Sequence, residues 1–148
     1  MEVGTVASAK FVDGAVPVAA LGELIEAYRQ SGQTGAHTFF LGQVRRDRID
    51  GRWVTAIEYS AYREMAENVL AELAESAVRN FELDGVHILH SLGRVPTGRL
   101  CLLVFVASGH RDAAYRASRH VVEEIKQRVP IFGKEILEDQ SHSWKVNR

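Results

Sequence analysis

The chain is poor in the residues that mark out the special classes of protein. It holds one cysteine, Cys101, so no disulfide can close within it and no multi-cysteine metal site can be built. Cys101 lies inside the apolar run "LCLLVFV", where a small buried hydrophobe is expected rather than a nucleophile. With three prolines and no Pro/Gly/Ser-rich stretch, 148 residues offer no linker at which to cut, and a single domain over residues 1–148 is expected. No apolar run approaches the ~20 residues that span a bilayer. The opening "MEVGTVASAKF" lacks a basic segment followed by an apolar one, so a cytoplasmic protein without membrane attachment is expected. An excess of one charge is missing too. Eighteen Lys and Arg against 19 Asp and Glu give a net charge of −1, which leaves no global field for tracking a nucleic-acid backbone. The patterns GxGxxG, GxxxxGK[ST], GxSxG and HExxH do not occur, and the six histidines show no metal-ligand spacing. No metal and no cofactor is therefore expected.

What is present is one unbroken series of apolar-patterned segments. Leu21, Leu24, Ile25 and Tyr28 recur at helical spacing after Pro17, and "SGQTG" ends that helix before "AHTFFLGQV", which reads as a buried strand. The loop "RRDRIDGR" turns the chain into "WVTAIEYS", an alternating strand. From about residue 62 to 82, Met65, Val69, Leu70, Leu73, Ala77 and Phe81 form one face of a long helix. "GVHILHSLG" and "RLCLLVFVAS", separated by "VPTG", read as a hairpin, and a last long helix stops at Pro130 before two short strands, "IFGKEILE" and "SHSWKV". A hairpin mixed with helical crossovers predicts an α+β sandwich, a mostly antiparallel sheet with helices on one face.

Several polar residues stand out against this frame. His110 and Arg111 open the last helix, where the positive end of the macrodipole disfavours cations, so a basic pair there calls for an anion. On the same helix Ala114, Ser118, Val121, Val122, Ile125 and Val129 face the core, while Lys126 falls at the margin beside Tyr115 and Arg119. Arg45 ends the strand "FFLGQV" and Lys134 lies in the short strand after Pro130. Cations at element ends suit a shared anion pocket, with unrelated solvated charges as the alternative.

The segments "FFLGQVR", "VTAIEYSAYREMAE", "SGHRDAAYRAS", "IKQRVPIFGKE" and "SWK" together resemble the catalytic large subunit of molybdopterin synthase, the MoaE family, in that family's order from about residue 35 to 146. The resemblance implies a two-layer, hammerhead-like α/β sandwich with a small extra β-sheet. It implies a sulphurtransferase acting on cyclic pyranopterin monophosphate, with sulphur delivered as a thiocarboxylate on the C-terminal Gly-Gly of a small ubiquitin-like carrier of the MoaD kind. It also implies a homodimer within a heterotetramer. A non-catalytic module of the same fold, binding an anion or a carrier tail, is the competing expectation.

Carried over residue by residue, the family's substrate-binding arginine falls on Arg45, beside Gln43 and Val44, and its His-Arg pair on His110 and Arg111. Its essential lysine falls on Lys126, and its second lysine on Lys134, followed by Glu135. Two positions depart from the pattern: Gly133 stands where an aromatic residue is usual, and Gln43 where lysine is frequent.

Overall fold

A long strand that changes partners halfway sets the architecture. The computed structural model describes residues 6–146. In chain order they form β1 (Ala7–Asp13), α1 (Ala19–Ala27), β2 (Ala36–Gln43), β3 (Arg48–Ile49), β4 (Arg52–Ala61), α2 (Arg63–Phe81), β5 (Gly85–Pro96), β6 (Leu100–Ser108), α3 (Arg111–Arg128), β7 (Ile131–Leu137) and β8 (His142–Trp144). The first part of β5 pairs antiparallel with β6 and parallel with β1, whereas Gly93–Pro96 pair with β4. The switch falls at Gly93, whose φ of 81° is open to a residue without Cβ. Two sheets therefore share one strand: β2–β6–β5–β1, and β5–β4–β7–β8. This is an α+β fold with a mostly antiparallel sheet, two long helices on one face and a smaller second sheet.

The first sheet is apolar on both faces. One face, with Val86, Ile88, Leu102, Val104 and Val106, is covered by Leu70 and Leu73 of α2 and by Val121 and Ile125 of α3. Ala66, Ala74, Ala114 and Ala117 are all completely buried, and their small side chains let both helices lie close against the strands and each other. The opposite face, with Leu89, Leu103 and Phe105, is covered by Ala20 and Leu24 of α1. The short helix thus lies on the far side from the long ones, because the even and the odd positions of β5 and β6 both need cover.

The structure changes four local expectations. "AHTFFLGQV" is not a buried strand. As β2 it forms the sheet edge, paired among the described residues only to β6, and leaves Phe40 37% and Leu41 38% exposed. Met65 is turned out at 59% exposure, and the buried line of α2 runs through Ala66, Leu70, Leu73, Ala74 and Ala77. The alanines shift the buried face by about one residue, and a pattern weighted by large apolar side chains misses them. β1 has no counterpart among the sequence-based expectations, since Ala7, Ala9 and Phe11, which face the core, include two residues of low strand propensity. The loop "RRDRIDGR" contains a tight hairpin, β3 to β4, turned by Asp50 (φ 50°) and Gly51 (φ 77°), the positive-φ pair that a two-residue type I′ turn requires.

Candidate active site

Lys126 comes to the surface where α3 meets the second sheet. It lies in the last turn of α3, where the carbonyl end of the helix favours a cation. Its neighbours Ile125 and Val129 are buried, so this side of the helix is held against β7. Tyr59, His90, Ile131, Gly133 and Lys145 complete a small cavity of about 30 Å³ with these residues. Although Lys126 is exposed as a whole residue, its pKa is lowered. Desolvation is the main cause; nearby Cys101 opposes the shift and the like charge of Lys145 adds to it. The direction decides the chemistry here: Lys126 holds its proton less tightly than a lysine in water.

A cavity of about 440 Å³ opens beside this point, at the seam between the two sheets. Gln43, Arg45 and Asp47 form one wall, Ile57, Tyr59 and Cys101 the floor, and Lys126, Glu135 and Lys145 the other wall. Strand register explains the grouping. Ile57 pairs with Glu135 and Tyr59 with Gly133, and the Lys145 N–H donates to the Gly133 carbonyl at 2.8 Å. Alternation along these strands puts Ile57, Tyr59, Gly133, Glu135 and Lys145 on one side. A further recess of about 400 Å³, lined by Pro130, Phe132 and Trp144, also reaches Lys126 and Lys145.

The structure brings Gln43, Arg45, Lys126 and Glu135 together around the seam. Arg45 is a side chain 72% exposed whose Nε lies 3.2 Å from Asp47 Oδ1, so an incoming anion competes with that carboxylate. Val44 does not belong to the cavity lining. It is 1% exposed in a cluster with Ile57, Val95 and Cys101, its N–H donates to the Arg99 carbonyl and its carbonyl accepts from the Gly98 N–H. It anchors the chain between Gln43 and Arg45. Lys134 is turned by strand alternation to the face opposite Glu135, where Nζ lies 3.7 Å from Glu58 Oε1. None of these three cavities includes it. His110 and Arg111 are exposed at the other end of α3. Fifteen residues at 1.5 Å rise separate Arg111 from Lys126 by about 22 Å, which is too far for one phosphate to reach both within a single chain.

Three residues of the site carry no expectation from the sequence. Tyr59 is 9% exposed, and burial first, then Cys101 and Glu135, push its phenol well above the usual tyrosine value. His90 is 4% exposed, directs Nδ1 at the Ser91 carbonyl at 2.8 Å and packs its ring edge-on to Tyr59. Burial is the main cause of its pKa falling to about 4. A signal existed in β5, where His87 and His90 interrupt an apolar run. Lys145 closes the segment "SWK" quoted for the resemblance, but its place in the site depends on the β7–β8 register. Cys101, expected as a core hydrophobe, is 8% exposed and also touches the cavity. Among the described residues no three metal-binding side chains cluster.

The family model described as "MoaE protein" matches residues 16–128. The molybdopterin synthase catalytic subunit of Aspergillus fumigatus is 38% identical over 121 residues, 82% of this chain and 64% of that protein. The chain therefore spans less than two thirds of that fungal relative. The protein of the same name from Thermoplasma volcanium is 38% identical over 122 residues, 82% of this chain and 88% of that protein. Among solved structures, molybdopterin synthase from Staphylococcus aureus superposes with a TM-score of 0.80 at 31% identity, covering 93% of this chain and 96% of that one. The complex of subunits 1 and 2 of the molybdopterin-converting factor from Helicobacter pylori gives 0.79 at 19% identity, covering 95% and 91%, and shows the shared fold.

Proposed function

The chain belongs to the MoaE family, and from that premise we propose that it is the catalytic subunit of a molybdopterin synthase. In this reading it moves two sulphurs from the C-terminal thiocarboxylate of a small ubiquitin-like carrier onto cyclic pyranopterin monophosphate. The observation that carries the proposal is the seam cavity, where Lys126, with its lowered pKa, and Arg45 face a space of about 440 Å³. Two anions must meet there. At 4 Å, unit charges repel by about 4 kcal/mol at an effective dielectric of 20, so fixed cations are needed to bring thiocarboxylate and phosphate together.

As the sulphur forms its bond to the pterin side chain, a C–O bond of the cyclic phosphate breaks and the departing oxygen gains negative charge. An ammonium already in place there stabilises the transition state more than the ground state. Lys126 takes this role, and its weakened hold on the proton suits it to protonate the leaving oxygen. Water then cleaves the thioester and the carrier leaves as a carboxylate; a second carrier adds its sulphur at the adjacent side-chain carbon, whose oxygen departs as water, and hydrolysis again frees the carrier as a carboxylate. Arg45, exchanging Asp47 for phosphate, and Gln43 with Glu135 position the pterin. His110 and Arg111 come from a second copy of the chain in a homodimer, because 22 Å along α3 (about fifteen residues) separates them from the Lys126 of their own chain. Their guanidinium, imidazole and helix-end N–H groups suit phosphate oxygens. One carrier at each end of that homodimer completes a heterotetramer. The reading includes one domain over residues 1–148 and a cytoplasmic location; among the described residues no helix is long and apolar enough to cross a membrane.

The test is reconstitution. Purified protein, thiocarboxylated carrier and pyranopterin should yield a pterin carrying two sulphurs by mass spectrometry. Tight carrier binding with an unaltered pterin would favour the non-catalytic binding module instead.

A further inference from the structure

We propose that Lys145, rather than Lys134, is the second ammonium of the Lys126 pocket, and that it holds the anionic end of the carrier's tail. This rests on the sulphur-transfer reading above. Lys145 lines all three cavities that meet at Lys126: the small one, the seam cavity and the recess. The two larger spaces share Lys126 and Lys145 and no other lining residue. The seam cavity carries Arg45 and Gln43, groups suited to a phosphate and a pterin, whereas the recess is walled by Pro130, Phe132 and Trp144 and carries no arginine. A glycine-ended tail has no side chains to place and fits a recess that passes Pro130, Phe132, Trp144 and the Gln127 amide, with its charged end delivered to the ammonium groups at the junction.

The local backbone builds this position. The Lys145 N–H bond to the Gly133 carbonyl at 2.8 Å fixes Lys145 on the pocket side of the sheet. A Cβ on Gly133 would lie 3.2 Å from Ile57 Cγ2, 3.4 Å from Tyr59 Cε1 and 3.5 Å from Lys145 Cβ. The glycine that departs from the family pattern therefore relieves crowding against Ile57 and leaves room beside the Lys145 Cβ. Lys134, one residue on, is engaged with Glu58 across the opposite face. The field of Lys145 is felt at Lys126, where it adds to the lowering caused mainly by desolvation. Two ammonium groups held close together bind an anion more strongly than either alone and make the Lys126 proton easier to transfer.

The experiment measures single-turnover sulphur transfer against carrier concentration for wild type, Lys145→Ala, Lys145→Arg and Lys134→Ala. Loss of a hydrogen bond to a charged group weakens binding about 10- to 150-fold. Lys145→Ala should raise the half-saturating carrier concentration by that factor, with Lys145→Arg recovering most of it and Lys134→Ala falling well short of it. A wild-type curve for Lys145→Ala, or a larger loss in Lys134→Ala, overturns the proposal. Should wild type transfer no sulphur at all, the sulphur-transfer reading fails, and NMR titration of the Lys126 ammonium decides about Lys145. An upward shift in Lys145→Ala supports the paired ammonium groups, and an unchanged titration overturns them.

Discussion

Lys126 combines two properties that are hard to obtain together. Ile125 and Val129 hold its backbone against the core while its charged end faces the cavity floor of Tyr59 and Cys101. Its lowered pKa gives it a transferable proton as well as a charge. Lys126→Ala should therefore cost little stability and most of the activity. Lys126→Arg separates the two properties, since a guanidinium keeps the charge but does not release its proton. Pterin binding by calorimetry should survive in Lys126→Arg, while single-turnover transfer falls by at least about 100-fold, the lower range for loss of a general acid. A wild-type rate in that variant would reduce Lys126 to a fixed charge. At this scale the sequence exposed the residues that sit in motif-like segments, namely Gln43, Arg45, Lys126 and Glu135. It did not single out Tyr59, His90 or Lys145, although Tyr59 and Lys145 also lie in such segments, because all three reach the same space only through strand pairing. It also set Val44 and Lys134 beside true lining residues, because a single step along a chain crosses from the pocket to the core in one case and to the opposite sheet face in the other.

The strand β5 does the most to organise the molecule, and it also makes stability depend on pH. Its two buried histidines are neutral in the fold. His87 lies 2.6 Å from Ser8 Oγ and 2.7 Å from Tyr28 Oη, and burial takes its pKa to about 4, as it does for His90. Both folded values lie below the unfolded value of about 6.5. The unfolded chain thus binds more protons between about pH 6.5 and 4, so the stability these histidines contribute is complete above that window and is lost as the pH falls through it. Urea unfolding from pH 7 to pH 5 should show a loss approaching about 1.4 kcal/mol per pH unit for each histidine. A flat profile over that range would mean that the two rings are not held neutral. Elements with many large apolar residues, such as β5 and β6, are legible in the sequence alone. β1 is not, being built on Ala7 and Ala9, and the edge position of β2 is not, because Phe39, Phe40 and Leu41 look alike whether a strand has one neighbour or two. The buried line of α2 is displaced for a related reason, since its alanines pack tightly but weigh little in an apolar pattern.

At the scale of the whole molecule, in the proposed reading α3 carries the two halves of one phosphate-handling apparatus on its opposite ends. His110 and Arg111 stand at its start and Lys126 in its last turn, and about 22 Å of helix lies between them. Under the proposed homodimer, each copy would lend its helix start to the other's seam cavity. The unpaired edge of β2, with Phe40 and Leu41 exposed, is available for such a contact. The most direct measurement is complementation between two inactive variants, Lys126→Ala and Arg111→Ala, co-expressed with different tags so that the mixed dimer can be isolated and supplied with thiocarboxylated carrier and pyranopterin. In the mixed dimer one pocket loses both groups and the other keeps both, so about half of the wild-type sulphur transfer per dimer should return although each parent is nearly inactive. A mixed dimer no more active than its parents would contradict a pocket shared between copies and, with it, the sulphur-transfer site described here.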